Sequence, residues 1–236
     1  MKDKIRVMVI ASLRDLVGED ANQFPVTSPN SNKSVAQALR EDPNFEVVMA
    51  VNDDSFQKMD AMGWHIPWSP EIPYKWMPAD FLKVPKQLRT PECMTALKYI
   101  WEERVWQLAK KIGAHVVLLD HLMWGLEHLF SLMPGCVLNI HPAPTDETQE
   151  FHFRGKTPTA DAIRLARARN SMPDDVKVRT GATIHYVIRE IDAGRIIHCL
   201  VGTPVYATDD PSTLRCRNYP TKHLVAAQGI KLWAGV

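Results

Sequence analysis

Asn139 and His141 stand two residues apart in Leu138-Asn139-Ile140-His141-Pro142, at the end of the apolar run Cys136 to Ile140 that reads as a short strand. Side chains two apart in a strand share a face. Pro142 forbids continuation as a central strand. An amide donor and an imidazole therefore come side by side at a strand's carboxyl end. That pair suits a carbonyl carbon becoming tetrahedral, with the amide N–H donating to the developing oxyanion and the imidazole passing a proton. Taken alone, the tripeptide equally suits a core asparagine capping a turn beside a histidine satisfied by backbone.

A second segment bears on the first. Gly181 to Ile188 (GATIHYVI) reads as a strand that runs into the acidic turn Glu190-Ile191-Asp192-Ala193-Gly194. Asp192 on that turn can face the same pocket, orient His141 or relay a proton through water.

The elements that must position these groups alternate strand and helix. Ile5 to Ser12 and Phe45 to Val51 are apolar strands, with helical spacing from Ser34 to Glu41 between them. Gly63 to Ser69 is a candidate for a further short strand. Residues 67–91 hold six prolines, too many for a helix or central strand. Trp68, Tyr74, Trp76 and Phe81 make this stretch an ordered excursion rather than a linker. Pro91 to Ile112 is the strongest helix, with an apolar stripe of Met94, Leu97, Ile100, Trp101, Val105, Leu108 and Ile112, closed by Gly113. Ala114 to Leu119 is a strand, Leu126 to Leu132 a short helix and Pro158 to Arg169 an amphipathic helix. Gly181 to Ile188 and Arg195 to Val205 are joined too tightly for a parallel crossover, so they are expected antiparallel. A last helix runs from about Pro211 to Trp233. The fold class is α/β, Rossmann-like: a mostly parallel twisted sheet, helices on both faces, and an antiparallel C-terminal strand pair. Ligands in such sheets bind at the carboxyl ends of the strands.

Composition narrows the functions. Across 236 residues, 28 Lys+Arg against 27 Asp+Glu leave a formal charge of +1, which argues against broad nucleic-acid binding. No apolar run is long enough to span a bilayer, and the N-terminal apolar stretch is a buried strand rather than a signal peptide. The four cysteines form no C-x-x-C pair, so a reduced, cytoplasmic protein is expected. The first strand exits into Ala11-Ser12-Leu13-Arg14-Asp15 with no glycine before Gly18, which speaks against a nucleotide or phosphate cradle there.

The stretch LNIHPAP…FRGKTP…GATIHYVIREIDAGRII resembles the 10-formyltetrahydrofolate-dependent formyltransferases: glycinamide ribonucleotide transformylases, methionyl-tRNA formyltransferases and formyltetrahydrofolate deformylases. Their shared signature is an Asn-x-His-Pro strand end followed by a turn with Asp before Gly. The resemblance runs from about Gly113 to Val205, is looser towards the C-terminus, and in the N-terminal third covers strand order only. It implies the formyltransferase fold, 10-formyltetrahydrofolate as cosubstrate, and Asn139, His141 and Asp192 as the catalytic centre. In the implied direct transfer, a substrate nitrogen attacks the formyl carbon, Asn139 and His141 stabilise the oxyanion, and Asp192 holds His141 and helps take the amine proton. The resemblance places the folate ring beside Leu122, Met123, Trp124 and Gly125 and against Val187, Ile188 and Ile191, with Val137 beneath. Met123 and Trp124 also suit plain core packing.

The departures from these relatives bear on the acceptor. The glycine loop that holds a ribose phosphate is missing. No extra domain of the tRNA-directed enzymes or regulatory domain of the deformylases is recognisable, so a single catalytic domain over residues 1–236 is expected. The connection from Pro142 to Phe153 is long and acidic, and a second extension lies around Asn170 to Arg179. Asp146, Glu147 and Glu150, with His152 and Arg154 and with Ser12 at the first strand exit, are the candidate acceptor contacts; the acidic loop also suits a solvated surface. These features point to a small non-phosphorylated amine or hydroxylamine. Hydroxyornithine transformylases of pyoverdine-type siderophore synthesis resemble the chain best in character, with glycinamide ribonucleotide or a sugar nucleotide as the alternative acceptors. Arg89, Lys98, Arg154 and Arg179 are candidates for the folate glutamate tail or a substrate carboxylate. A metal-dependent hydrolase is the rival class, since His121, His128, His141, His152 and His185 fall near the proposed site. No H-x-x-x-H or H-E-x-x-H spacing supports it, and no metal is expected. A binding module without activity is the third reading, against which the intact Asn139, His141 and Asp192 set argues. Oligomeric state is not legible.

Overall fold

The computed structural model describes residues 3–11, 35–52, 85, 87, 89–120 and 125–236. The Ser12 loop, the candidate strand from Gly63 to Ser69, most of the proline-rich stretch and Leu122, Met123 and Trp124 lie outside these residues.

The first half alternates β1 (Ile5–Ala11), α1 (Val35–Glu41), β2 (Phe45–Asn52), α2 (Pro91–Lys111), β3 (Val116–Asp120), α3 (Leu129–Leu132) and β4 (Val137–His141). It is followed by α4 (Pro158–Ala168), β5 (Val178–Tyr186), β6 (Ile196–Val205) and α5 (Pro211–Ala234). One sheet holds the strands in the order β2-β1-β3-β4-β5-β6. The pairings β1–β2, β1–β3 and β3–β4 are parallel, whereas β5 is antiparallel to both β4 and β6. The expected antiparallel pair is present, and β6 thereby returns to the direction of β4. The chain moves to opposite sides of β1 on leaving it, so the carboxyl ends of β1 and β3 mark the crevice where such sheets bind ligands.

Both faces of the sheet are covered, which is why β1 and β3 are largely apolar on both faces. Ile5, Val7, Val9, Leu118, Leu138 and Ile140 pack against α1 and α5. Met8, Ile10, Val117, Leu119 and Val137 pack against Trp101, Val105 and Leu108 of α2. The expected α2 stripe is partly corrected: Ile100 is exposed, while the charged Glu102 is fully buried. α2 starts as its sequence predicts, with Pro91 in the first turn and Thr90 Oγ1 accepting from Cys93 N at 3.3 Å. It ends at Ile112 beside Gly113, whose φ of 65° is the left-handed value a helix terminus needs.

Strand ends shift slightly from their sequence bounds. β4 runs one residue beyond Ile140, because His141 pairs with Thr183 across the ladder. β5 starts at Val178 rather than Gly181, since its first residues pair with Val205, Pro204 and Thr203. The 170–179 extension is folded in: the buried Ser171 Oγ donates to Val205 O at 2.7 Å. All four cysteines are free.

Two buried polar links fasten α5 to the carboxyl side of the sheet. Asn218 Nδ2 donates to Pro142 O at 3.0 Å and Gly181 O at 2.6 Å, while its Oδ1 accepts from Thr203 Oγ1 at 2.7 Å. Lys222 Nζ donates to Asp120 Oδ1, with both side chains buried. Asn218 thus holds the carbonyl next to His141, so the exit of β4 is tied at the point where the chemistry-bearing residues emerge.

Candidate active site

Asn139 and His141 lie on the face of β4 opposite Leu138 and Ile140, as their spacing predicts. The antiparallel register sets His185 of β5 directly opposite Asn139. The turn after β5 brings Asp192 to the same place from 53 positions away in sequence, where Asn139 Nδ2 donates to Asp192 Oδ1 at 3.3 Å. His141 Nδ1 lies 3.3 Å from Asp192 Oδ2. Asp192 is therefore in contact with each of the other two residues expected at the centre.

Backbone carbonyls fix the two imidazoles. His141 Nε2 donates to Phe153 O at 2.9 Å, which leaves Nδ1 as the nitrogen turned to Asp192. Both nitrogens of His141 face acceptor oxygens. His185 Nδ1 donates to Tyr186 O at 2.9 Å, so its Nε2 is free to accept from Asn139 Nδ2 at 3.2 Å. Asp192 also accepts from Gly155 N at 3.2 Å. Its φ of 55° is one of two positive values at non-glycine residues among those described. Left-handed backbone costs an ordinary L-residue about 1–2 kcal/mol, less for Asp, and the surrounding hydrogen bonds hold it.

The turn needs a residue without a side chain at Gly194. A Cβ there would lie 1.7 Å from Tyr186 O. Gly194→Ala is expected to destabilise the fold by about 1–3 kcal/mol or more, through forced displacement of packed backbone. Denaturant unfolding checks this, and a wild-type midpoint would contradict it.

Burial pushes the Asp192 carboxyl up, but the neighbouring imidazoles, above all His141 through its hydrogen bond, outweigh it and hold the group well below the usual carboxylate range. The lowered folded value fixes the sign. Asp192 contributes stability above its unfolded value of about 4, and the contribution is lost as pH falls through the folded value. Below about pH 4, the wild type should lose stability more steeply than Asp192→Asn. Unfolding midpoints of the two proteins across the acid range test this; parallel curves would contradict it.

These groups border a cavity of about 310 Å³. Of the residues expected beside a folate ring, Gly125, Val187, Ile188 and Ile191 line it. Val137 does not: it is buried in the core against α2, and its carbonyl accepts from Val187 N at 3.0 Å. It therefore supports the wall from behind. Ile191 lies across from Gly125, within 3.8 Å of where a Cβ on that glycine would be. Ile188 and Ile191 are 41% and 60% exposed, an apolar face left open at the cavity.

The acceptor contacts expected in the acidic loop are not among the lining residues. Asp146 closes a local turn by accepting from Thr148 N at 3.0 Å and Thr148 Oγ1 at 2.7 Å. Glu147 pairs with Arg154 at 2.8 Å and Glu150 with Arg169 at 2.9 Å. His152 Nδ1 donates to Gln149 O at 3.1 Å. Each charge is thus answered locally on the surface. Walls not foreseen in the sequence include Leu126, His185, Arg215 and the segment from Gly155 to Ala160. Of the candidate cations, Lys98 is held at Gly125 O and Glu127, and Arg179 at Gly202 O. Among the described residues, no group of three or more His, Cys, Asp or Glu side chains is arranged to hold a metal ion. No described helix is long and apolar enough to cross a membrane.

No protein-family model and no curated protein matches the sequence. Solved structures do match. A structure described as PvdF of pyoverdin biosynthesis, an N10-formyltetrahydrofolate-dependent formyltransferase, aligns at 24% identity and TM-score 0.65, covering 95% of this chain and 99% of the other. Phosphoribosylglycinamide formyltransferase from Anaplasma phagocytophilum aligns at 20% identity and TM-score 0.60, covering 97% and 86%. Formyltetrahydrofolate deformylase from Burkholderia mallei aligns at 18% identity and TM-score 0.60, covering 97% of this chain and 64% of that one. The chain has the fold these formyltransferases share.

Proposed function

We propose that this protein is a folate-dependent formyltransferase, which moves the formyl group of 10-formyltetrahydrofolate to an amine or hydroxylamine nitrogen of a small acceptor. The observation that carries the reading is the convergence of Asn139, His141 and Asp192 on one cavity, with Asp192 in contact with both of the others. The open apolar face of Ile188 and Ile191 opposite Gly125 suits a flat heteroaromatic ring. Gly125, Leu126 and Val187 to Ile191 are the residues that would hold it. The Gly155–Ala160 segment and Arg215 remain as walls for the acceptor.

The side chains divide the work as follows. As the acceptor nitrogen bonds to the formyl carbon, the carbonyl oxygen gains charge. Asn139 Nδ2 and His141 Nδ1 turn their N–H groups from Asp192 to that oxygen. Their bonds to Asp192, both 3.3 Å, are long enough to be exchanged readily. Asp192, released from part of its pairing, accepts the proton lost by the attacking nitrogen, directly or through water. Collapse of the tetrahedral centre breaks the bond to folate N10, which takes the proton that Asp192 accepted and leaves as tetrahydrofolate. His185 keeps the Asn139 amide oriented throughout.

For the acceptor, the reading we favour is N5-hydroxyornithine, as in siderophore assembly. It is supported by the absence of glycine at the exit of β1 and by the structural likeness to PvdF. Glycinamide ribonucleotide is the second reading, supported by the likeness to the phosphoribosylglycinamide enzymes. Release of tetrahydrofolate is the test, with a panel of N5-hydroxyornithine, ornithine, glycinamide ribonucleotide, an amino sugar nucleotide and water alone. Turnover with N5-hydroxyornithine is expected. Turnover with the ribonucleotide alone moves the acceptor to the second reading, equal rates in water alone make the protein a deformylase, and no consumption by any of them contradicts formyl transfer.

A further inference from the structure

One fully buried carboxylate has no part in the steps above. Glu102 lies on α2, 0% exposed, and both of its oxygens are acceptors. Its Oε1 accepts from Glu127 N at 2.9 Å, and its Oε2 from His128 N at 2.7 Å and Leu129 N at 2.5 Å. One turn earlier on the same helix, Lys98 Nζ donates to Gly125 O at 3.3 Å and to Glu127 Oε1 at 3.2 Å. Two side chains of α2 therefore grip the backbone of residues 125–129 from end to end. The gripped segment contains Gly125 and Leu126, which line the cavity opposite Ile191.

Leu126 and Leu129 are buried in the core beside α2, but the segment has little regular structure to fix its main chain. α3 is only four residues long, and its N-cap His128 makes no side-chain capping bond. Glu102 takes over the capping from another element. Burying a carboxylate is costly unless hydrogen bonds compensate, and three backbone N–H groups do so here. A glutamine of the same shape would turn an NH₂ group towards one or more of those N–H donors. The arrangement fixes where the main chain of 125–129 sits, without either side chain touching Asn139, His141 or Asp192.

We propose that Glu102, assisted by Lys98, is a positioning residue for the folate-binding wall: it sets the separation of Gly125 and Leu126 from Ile191, and hence affinity for the cosubstrate. This rests on the formyltransferase reading. A displaced wall weakens a ligand that must fit between two surfaces, and buried N–H donors left unpaired by loss of a carboxylate oxygen correspond to roughly 10- to 100-fold in affinity. The hydrogen-bonded cluster around Asp192 is untouched, so loss of Glu102 is expected in donor binding rather than in the chemical step.

The test uses the full chain as wild type, Glu102→Gln and Lys98→Met. Three quantities are read: tetrahydrofolate Kd by calorimetry, KM for donor and acceptor with kcat, and hydrogen exchange of the Glu127, His128 and Leu129 amides. For Glu102→Gln the tetrahydrofolate Kd and donor KM should rise roughly 10- to 100-fold. Acceptor KM and kcat at saturating donor should stay near wild type, and the three amides should exchange faster. Lys98→Met should move the same quantities in the same direction by less, and it carries the test if Glu102→Gln does not fold. Faster exchange with unchanged tetrahydrofolate Kd would overturn the positioning role and leave Glu102 a purely structural cap. A folded wild type that binds no tetrahydrofolate would overturn the formyltransferase reading itself, with the wild-type amide protection still measurable.

Discussion

Asp192→Asn is expected to lower kcat by about 10²- to 10⁴-fold in a protein that remains folded. Asparagine keeps the size of the side chain and tolerates the left-handed backbone at this position, where φ is 55°. It loses the negative charge that faces His141 Nδ1 at 3.3 Å and His185 Nε2 at 3.6 Å. It also loses one of two equivalent oxygens, and these now serve Asn139 Nδ2 and Gly155 N together. The variant can no longer take a proton from the attacking nitrogen. Steady-state kinetics beside an unfolding curve give the answer. Turnover near wild type would remove Asp192 from the chemistry and reduce it to a turn residue.

The second large effect is expected at Asn139. Asn139→Ala should reduce kcat about 10²- to 10³-fold with little change in KM for either substrate, because the amide donor matters most as the oxyanion forms. In the resting protein the same amide is shared between His185 Nε2 and Asp192 Oδ1, at 3.2 Å and 3.3 Å. A KM increase with unchanged kcat would instead make Asn139 a ground-state contact. Asn139→Ala and Asp192→Asn should combine to less than the product of their separate effects, since the two side chains form one hydrogen-bonded unit.

What could be read from the sequence follows from local periodicity. The runs at β1, β3 and β4 are apolar because both faces of the sheet are covered, and the two-residue spacing of Asn139 and His141 put them on one face directly. Asp192 was legible through the turn signature before Gly194, and the Cβ clash at that glycine is the physical reason for its place. His185 was harder. Its position opposite Asn139 depends on the register of an antiparallel pair 46 residues apart, which no local pattern encodes. Glu102 was harder still, since a charged residue beside Trp101 reads as the solvent edge of a helix. Only the bare amides of residues 127–129 make its burial sensible. The acidic loop shows the converse. Asp146, Glu147 and Glu150 looked available for a cation because their partners Thr148, Arg154 and Arg169 are fixed by the loop's own folding.

Formyl transfer in this cavity is tested most directly by following the group itself. Purified protein is given 10-formyltetrahydrofolate carrying an isotopically labelled formyl carbon, together with N5-hydroxyornithine, and products are read by mass spectrometry alongside Asp192→Asn. The expected result is label in a new N-formyl product, formed in step with tetrahydrofolate and nearly absent with the variant. Label released only as formate, or product formed equally by the variant, would contradict transfer by the Asn139, His141 and Asp192 centre.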